Sequence, residues 1–125
     1  MRNPFVHVEL VSTDVAKAKS FYGKLFKWKL EDVDMGDMIY TLIKAGEGTG
    51  GGIMKNPMPD GHSMWIAYVK VGDVKEATKK AKSLGAKVKK DVTKVKGAGS
   101  LSIITDPTGV AMLGLWEPKR KKKKS

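Results

Sequence analysis

Two residues near the start of the chain have the types and the spacing to do chemistry together. His7 and Glu9 stand at i and i+2 in FVHVELV, residues 5–11, so in an extended strand both side chains leave the same face. A carboxylate beside an imidazole raises its basicity and fixes its tautomer, an arrangement suited to general acid–base work. The same two groups can also do no more than hydrogen-bond each other or the backbone. The rest of the reactive inventory is short. Cysteine is absent, which removes disulfides, thiolate zinc sites and thiol nucleophiles. No G-x-S-x-G occurs and no serine is well placed beside a histidine, so covalent catalysis lacks a visible nucleophile. Gly46–Gly51 spells G-x-G-x-x-G, but Ile53-Met54-Lys55-Asn56-Pro57 follows where a dinucleotide site needs a helix to open. Residues Gly46–Gly52 read instead as a hairpin loop and a candidate lid. His62, in KNPMPDGHSM, reads as exposed.

The elements that must position His7 and Glu9 come in two copies. Shifted by 59 residues, FVHVELVSTDVAKAKSFYGKLF from Phe5 falls on MWIAYVKVGDVKEATKKAKSLG from Met64, so that Asp14 meets Asp73, Ala18 meets Ala77 and Leu25 meets Leu84. The same shift carries GGGIM (50–54) onto GVAML (109–113). Two half-chains of about 60 residues are each too small to be comfortable alone and are expected to share one core. Residues 5–11 alternate Phe5, His7, Glu9 with Val6, Val8, Leu10 and read as a strand. Asp14 is the expected N-cap of a helix with Val15, Ala18, Tyr22 and Leu25 on its apolar stripe, widened by Phe21 and Phe26. Asp73 caps the second helix, with Glu76 three residues on and Val74, Ala77, Ala81 and Leu84 at helical spacing; Gly85 stops it. Strands are expected over 29–33, 38–44 and 51–55, then 87–92, 101–105 and 110–116. The order is β-α-β-β-β, twice. The fold class is α+β, with a first module at 1–55, a linker at 56–63, a second module at 64–117 and a basic tail at 118–125, all in one structural domain.

Charge is distributed unevenly over this plan. The 125 residues carry 24 Lys+Arg against 13 Asp+Glu, a formal +11. Residues 1–62 hold eight of each sign and sum to zero; residues 63–125 hold sixteen basic and five acidic groups. Six of those sixteen are Lys119, Arg120, Lys121, Lys122, Lys123 and Lys124, a run expected to be solvated and disordered. It offers a weak, sequence-independent contact to nucleic-acid phosphates. No aromatic residue lies between Lys70 and Lys96, so base stacking is unsupported there. No apolar run approaches the ~18–20 residues that span a bilayer, and acidic Glu9 and Asp14 interrupt any signal-peptide core. No membrane contact and a cytoplasmic location are the expectation.

With these segments in order, the sequence resembles the vicinal oxygen chelate superfamily, the glyoxalase/bleomycin resistance/extradiol dioxygenase group. HVELVSTDVAKAKSFYGKLFKW matches its first strand and helix, with Lys27 where a glycine is usual. WIAYVKVGDVKEATKKAKSLGAKV and ITDPTGVAMLGLWEP match its second module. The resemblance spans about residues 5–117. It implies paired βαβββ modules curled into a half-open barrel around a central groove. It also implies, in metal-dependent members, four ligands, one on the first and one on the last strand of each module. Counting seven residues back from Asp14 gives His7, and from Asp73 gives Ile66; counting seven on from Asp106 gives Leu113, whose counterpart by the 59-residue shift is Met54. One of the four positions can ligate, and Met54, Ile66 and Leu113 are apolar, so no divalent metal or other cofactor is expected. A displaced site from His7, Glu9 and Tyr68 is the alternative.

The expected groove is lined by Phe5, His7, Glu9, Val11, Met54, Met64, Ile66, Tyr68 and Leu113, an apolar surface with few polar groups, as small organic ligands want. Three readings follow. The first is metal-free small-molecule binding, in the manner that the resemblance implies for antibiotic-binding resistance proteins. The second is a lyase, isomerase or dioxygenase using His7 and Glu9 as the catalytic candidates. The third is nucleic-acid association through the basic tail. Tyr40, Trp28, Trp65 and Trp116 read as core or dimer-contact residues, with Trp65 turned under the second helix. A homodimer is expected, because short modules leave sheet edges uncovered.

Overall fold

The structure, a computed structural model, describes residues 2–58 and 61–119. Of the basic run only Lys119 is among them; Arg120, Lys121, Lys122, Lys123 and Lys124 lie outside the described residues. The chain divides into two compact units, residues 6–67 on one side and residues up to Phe5 together with Tyr68 onward on the other. They are called the first and second modules below.

The first module contains β1 (Phe5–Ser12), α1 (Val15–Leu25), β2 (Lys29–Asp34), β3 (Ile39–Lys44) and β4 (Gly51–Lys55), followed by the start of β5 (Met64–Lys70). Its strands run in the order β2-β3-β4-β1. β1 and β4 are parallel, with Glu9 opposite Gly52 and Leu10 opposite Ile53, and β3 is antiparallel to both its neighbours. Asp14 caps α1, its carboxylate accepting from the Lys17 amide at 3.0 Å, a cap of about 1 kcal/mol. Leu10, Ile43 and Ile53 are buried under the helix, with Val15, Ala18, Tyr22, Trp28 and Leu30 packed on them. Each fully buried aliphatic side chain here contributes about 2 kcal/mol. Leu25, Phe21 and Phe26, expected on this stripe, are exposed. The helix ends at Leu25 and the chain leaves it extended at Phe26. Lys19 spans from α1 to the Asp32 carboxylate on β2 at 2.8 Å, and Thr41 donates to the same carboxylate at 2.7 Å. These two contacts hold Asp32 below the usual carboxylate range.

The second module repeats the plan with α2 (Val74–Ser83), β6 (Val88–Val95), β7 (Gly99–Thr105) and β8 (Met112–Pro118), its strands in the order β5-β8-β7-β6. The first residues of the chain belong here: the Lys70 amide donates to the Pro4 carbonyl and the Asn3 side chain to the Lys70 carbonyl, both at 2.9 Å. Asp73 caps α2 by accepting from the Glu76 amide. Val71, Val74 and Leu115 are buried beneath the helix, with Ala77, Val92, Ile104 and Leu113 packed against them. Thr78, on the same helix face, is buried by bonding its hydroxyl to the Val74 carbonyl and to Ser102. Leu84, expected on the stripe, is exposed at the helix end.

The repeat does not keep one spacing. Glu9 pairs with Gly52, and its counterpart Tyr68 pairs with Gly114, so the final strands are related by 62 residues rather than 59. Two extra residues enter through the shifts of register in β6, between Val88 and Lys90 and between Lys90 and Thr93. One more enters in the turn between β6 and β7, since Asp34 to Ile39 is five steps and Lys94 to Ser100 six. Another enters in the turn before β8, since Ile43 to Gly51 is eight steps and Ile104 to Leu113 nine. One is lost between β5 and β6, since Glu9 to Leu30 on β1 and β2 is 21 steps and Tyr68 to Val88 is 20. The match of GGGIM with GVAML is therefore not a structural equivalence. Gly51, not Met54, corresponds to Leu113.

Candidate functional site

β1 alternates as its sequence demands. Leu10 goes under α1, and Glu9 goes to the opposite face, where it is 4% exposed. A carboxylate so enclosed needs hydrogen-bond partners, and one comes from β3. The Tyr40 hydroxyl donates to Glu9 Oε1 at 3.0 Å and lies 2.7 Å from His7 Nε2. With Glu9 ionised, the hydroxyl gives its one proton to the carboxylate, and the proton that bridges His7 to the phenol oxygen is then on Nε2. The chain of donors is His7 Nε2–H to Tyr40 O–H to the Glu9 carboxylate. A neutral ring in this tautomer holds its acceptor lone pair on Nδ1. Burial pushes the His7 pKa below 6.5, which keeps the ring neutral at pH 7.

Tyr40 reaches this position only because of a glycine. β4 lies between β3 and β1, and a Cβ built on Gly52 would stand 1.9 Å from the Tyr40 hydroxyl oxygen. The phenol therefore crosses β4 where that strand carries no side chain. Sequence reasoning placed Tyr40 in the core or at a dimer contact. The signal that would have found it is the Gly50-Gly51-Gly52 run, because consecutive glycines in a strand mark close approach by another group.

The other expected site residues are distributed as follows. Met54 is half-buried and pairs with Val11, which is fully buried. Ile66 is buried and Met64 half-buried, both on β5. Phe5 is 63% exposed at the start of β1. Tyr68 is buried and lies over Gly114, whose missing Cβ would sit 2.3 Å from its ring. Leu113 does not join the Tyr68 face; it packs under α2 with Leu115, because residues one step from Gly114 point the other way. His62 is exposed, and its carbonyl accepts from the Asn56 side chain. Trp65 is directed away from His7 but not under α2: its indole donates to the Tyr22 hydroxyl on α1 at 3.2 Å. The underside of α2 is already filled by Val71, Val74 and Leu115.

This donor set fits a divalent ion poorly. His7 and Glu9 supply two ligating side chains where a protein metal site usually has three or more, and Gly52, opposite Glu9 on the last strand, brings no ligand. Among the described residues no three His, Cys, Asp or Glu side chains converge.

A family model for the Glyoxalase/Bleomycin resistance protein/Dioxygenase superfamily matches residues 5–112. The chain belongs to that superfamily. A relative within reach of sequence alone carries the name "Putative glyoxylase CFP32", in Mycobacterium bovis and in Mycobacterium tuberculosis. It is 35% identical over 120 residues, covering 90% of this chain and 45% of the relative. The chain thus spans about half the length of these curated relatives. Among solved structures, hypothetical protein BH1468 from Bacillus halodurans C-125 superposes with a TM-score of 0.66 at 16% identity, covering 99% of this chain and 100% of that one. Methylmalonyl-CoA epimerase from Mycobacterium tuberculosis superposes with a TM-score of 0.64 at 15% identity, over 93% of this chain and 88% of that one. At these identities the likeness establishes the superfamily's α+β fold of paired βαβββ modules. No helix among the described residues is long and apolar enough to cross a membrane.

Proposed function

We propose that this glyoxalase-superfamily chain binds a small organic molecule on the inner face of its first module, with the His7–Tyr40–Glu9 chain as the polar anchor and without a divalent ion. The observation that carries the proposal is the commitment of His7 Nε2 to Tyr40, which is in turn committed to a buried carboxylate. Ligand sites in general combine apolar walls with a few fixed polar groups, and a hydrogen-bonded chain is fixed before the ligand arrives. Such preorganisation lowers the ordering cost of binding. A thermal-shift screen of chelator-treated protein tests the reading. An organic ligand should raise the Tm of the native protein and fail to do so in His7→Ala and Tyr40→Phe. Stabilisation by Ni, Zn or Mn beyond the chelator control would overturn the metal-free part.

The lowered His7 pKa favours one further reading, proton transfer. A histidine kept neutral at pH 7 is a competent base, and the Tyr40–Glu9 chain steadies the cation formed when it accepts a proton. Solved relatives of this fold include a methylmalonyl-CoA epimerase in complex with methylmalonyl-CoA. An epimerase-like or glyoxalase-like activity here requires that His7→Ala lose turnover while keeping the fold; undiminished turnover in that variant would remove His7 from any such role.

A further inference from the structure

We propose that a cleft on the helix side of the first module, lined by the touching indoles of Trp28 and Trp65, is a second binding site that takes a neutral, planar aromatic molecule of two rings. The cleft has a volume of about 280 Å³ and a floor of Val8 and Ile43. Gly51 on its lining has no room for a side chain: a Cβ there would lie 2.3 Å from the Val8 carbonyl oxygen and 3.6 Å from Ile43 Cδ1. Adjacent glycines of β4 are thus required by different neighbours, Gly52 by the Tyr40 phenol and Gly51 by the β1 backbone.

The walls are held in place before any ligand arrives. Trp65 meets Tyr22 edge-on with ring centroids 5.3 Å apart and donates its indole N–H to the Tyr22 hydroxyl. Trp28 packs on Phe26 at 4.6 Å and stands at 78° to Trp65 at 6.2 Å. Trp65 nevertheless remains 39% exposed. Two fixed, mutually perpendicular indoles give a ring ligand one face to stack on and one edge to meet, both favoured geometries. Among the described residues no charged side chain lines the cleft, and Thr49 at its rim offers the one side-chain hydroxyl. That chemistry selects an uncharged ring system with a single hydrogen-bonding substituent. Apolar cavities of about 150 Å³ hold benzene, so this volume suits a bicyclic ring.

The probe is 2-naphthol, read from the indole N–H resonances of Trp28, Trp65 and Trp116 in ¹H–¹⁵N spectra. Trp28 and Trp65 should move saturably, while Trp116 and the His7 ring stay still. Decahydro-2-naphthol, similar in size but not planar, should bind at least ten-fold more weakly. Ala45→Leu, a substitution at an exposed position on the cleft wall, should weaken 2-naphthol at least ten-fold with spectral dispersion retained. Trp65→Ala, read from Trp28 alone, should do the same. Absence of saturable shifts, equal shifts at Trp116, or full affinity in both variants would overturn the proposal.

Discussion

Each module lays a tyrosine ring across a glycine of its last strand, Tyr40 over Gly52 and Tyr68 over Gly114, yet the two faces carry different chemistry. In the first module the tyrosine comes from β3 and links an imidazole to a carboxylate. In the second it comes from β5, directly opposite its glycine. The positions matching His7 and Glu9 by the repeat are Ile66 and Tyr68. Duplication preserved the steric device and not the polar chain. The hydrogen-bonded chain of imidazole, phenol and carboxylate lies in one copy, and the other copy's matching positions are Ile66 and Tyr68. Charge divides the other way: the two ion pairs among the described residues, Lys19–Asp32 and Lys44–Glu31, both lie in the first module, while the surplus of lysine lies in the second half of the sequence.

The largest expected effects come from closing the glycine gaps. Gly114→Ala forces a methyl into the buried Tyr68 ring and should cost about 3 kcal/mol in urea unfolding, at the upper end for overpacking. Gly52→Ala should cost less, because half-buried Tyr40 can swing away, but it should abolish ligand binding at His7; Gly114→Ala should leave the His7 resonances in place. If Gly52→Ala left the His7 signal unmoved, the asymmetry drawn between the modules would fail.

Next in size is Tyr40→Phe, which removes a charge-assisted hydrogen bond from Glu9 and a neutral one from His7. We expect a loss of about 1–2 kcal/mol, whereas Phe at Tyr22, a partly buried member of the exposed aromatic cluster, should cost well under 1 kcal/mol. Equal losses would show that the chain contributes no more than a surface contact.

A smaller effect is expected from pH. Burial lowers the His7 pKa in the folded state, so as pH falls through about 6.5 the unfolded chain takes up a proton before the folded one. Stability should therefore decline below about pH 6.5 and level off beneath the folded pKa. His7→Gln should flatten that part of the profile, measured by urea midpoints between pH 5 and 8; an unchanged slope would assign it to other groups. Smallest of all, deleting residues 120–125 should leave Tm unaltered and reduce retention on an immobilised polyanion. The salt dependence of that retention should become shallower, by about 0.9 log units for each phosphate that the tail neutralises.

Much of the fold was legible because it rests on local rules. Both N-caps, both helices and the β-α-β-β-β order follow from Asp14, Asp73 and the two hydrophobic periodicities, and the structure agrees. The spacing of the final strands was not legible, since a register shift in β6 leaves no mark in composition and GVAML imitates GGGIM by chance. His7 and Glu9 were visible as a pair from their i, i+2 spacing alone. Tyr40 was not, because its partners lie 31 and 33 residues away and the cue was a missing side chain at Gly52. The direction of Trp65 depends on which helix has room beneath it, which strand alternation does not encode.

The central claim is that His7 Nε2 is protonated and held by Tyr40 rather than available to a metal. Long-range ¹H–¹⁵N correlation on the histidine rings at pH 7, with and without one equivalent of Zn²⁺, reads this directly. The account predicts a neutral His7 with its proton on Nε2, unchanged by zinc; a ring protonated on Nδ1, or an Nε2 resonance moved by zinc, would contradict it.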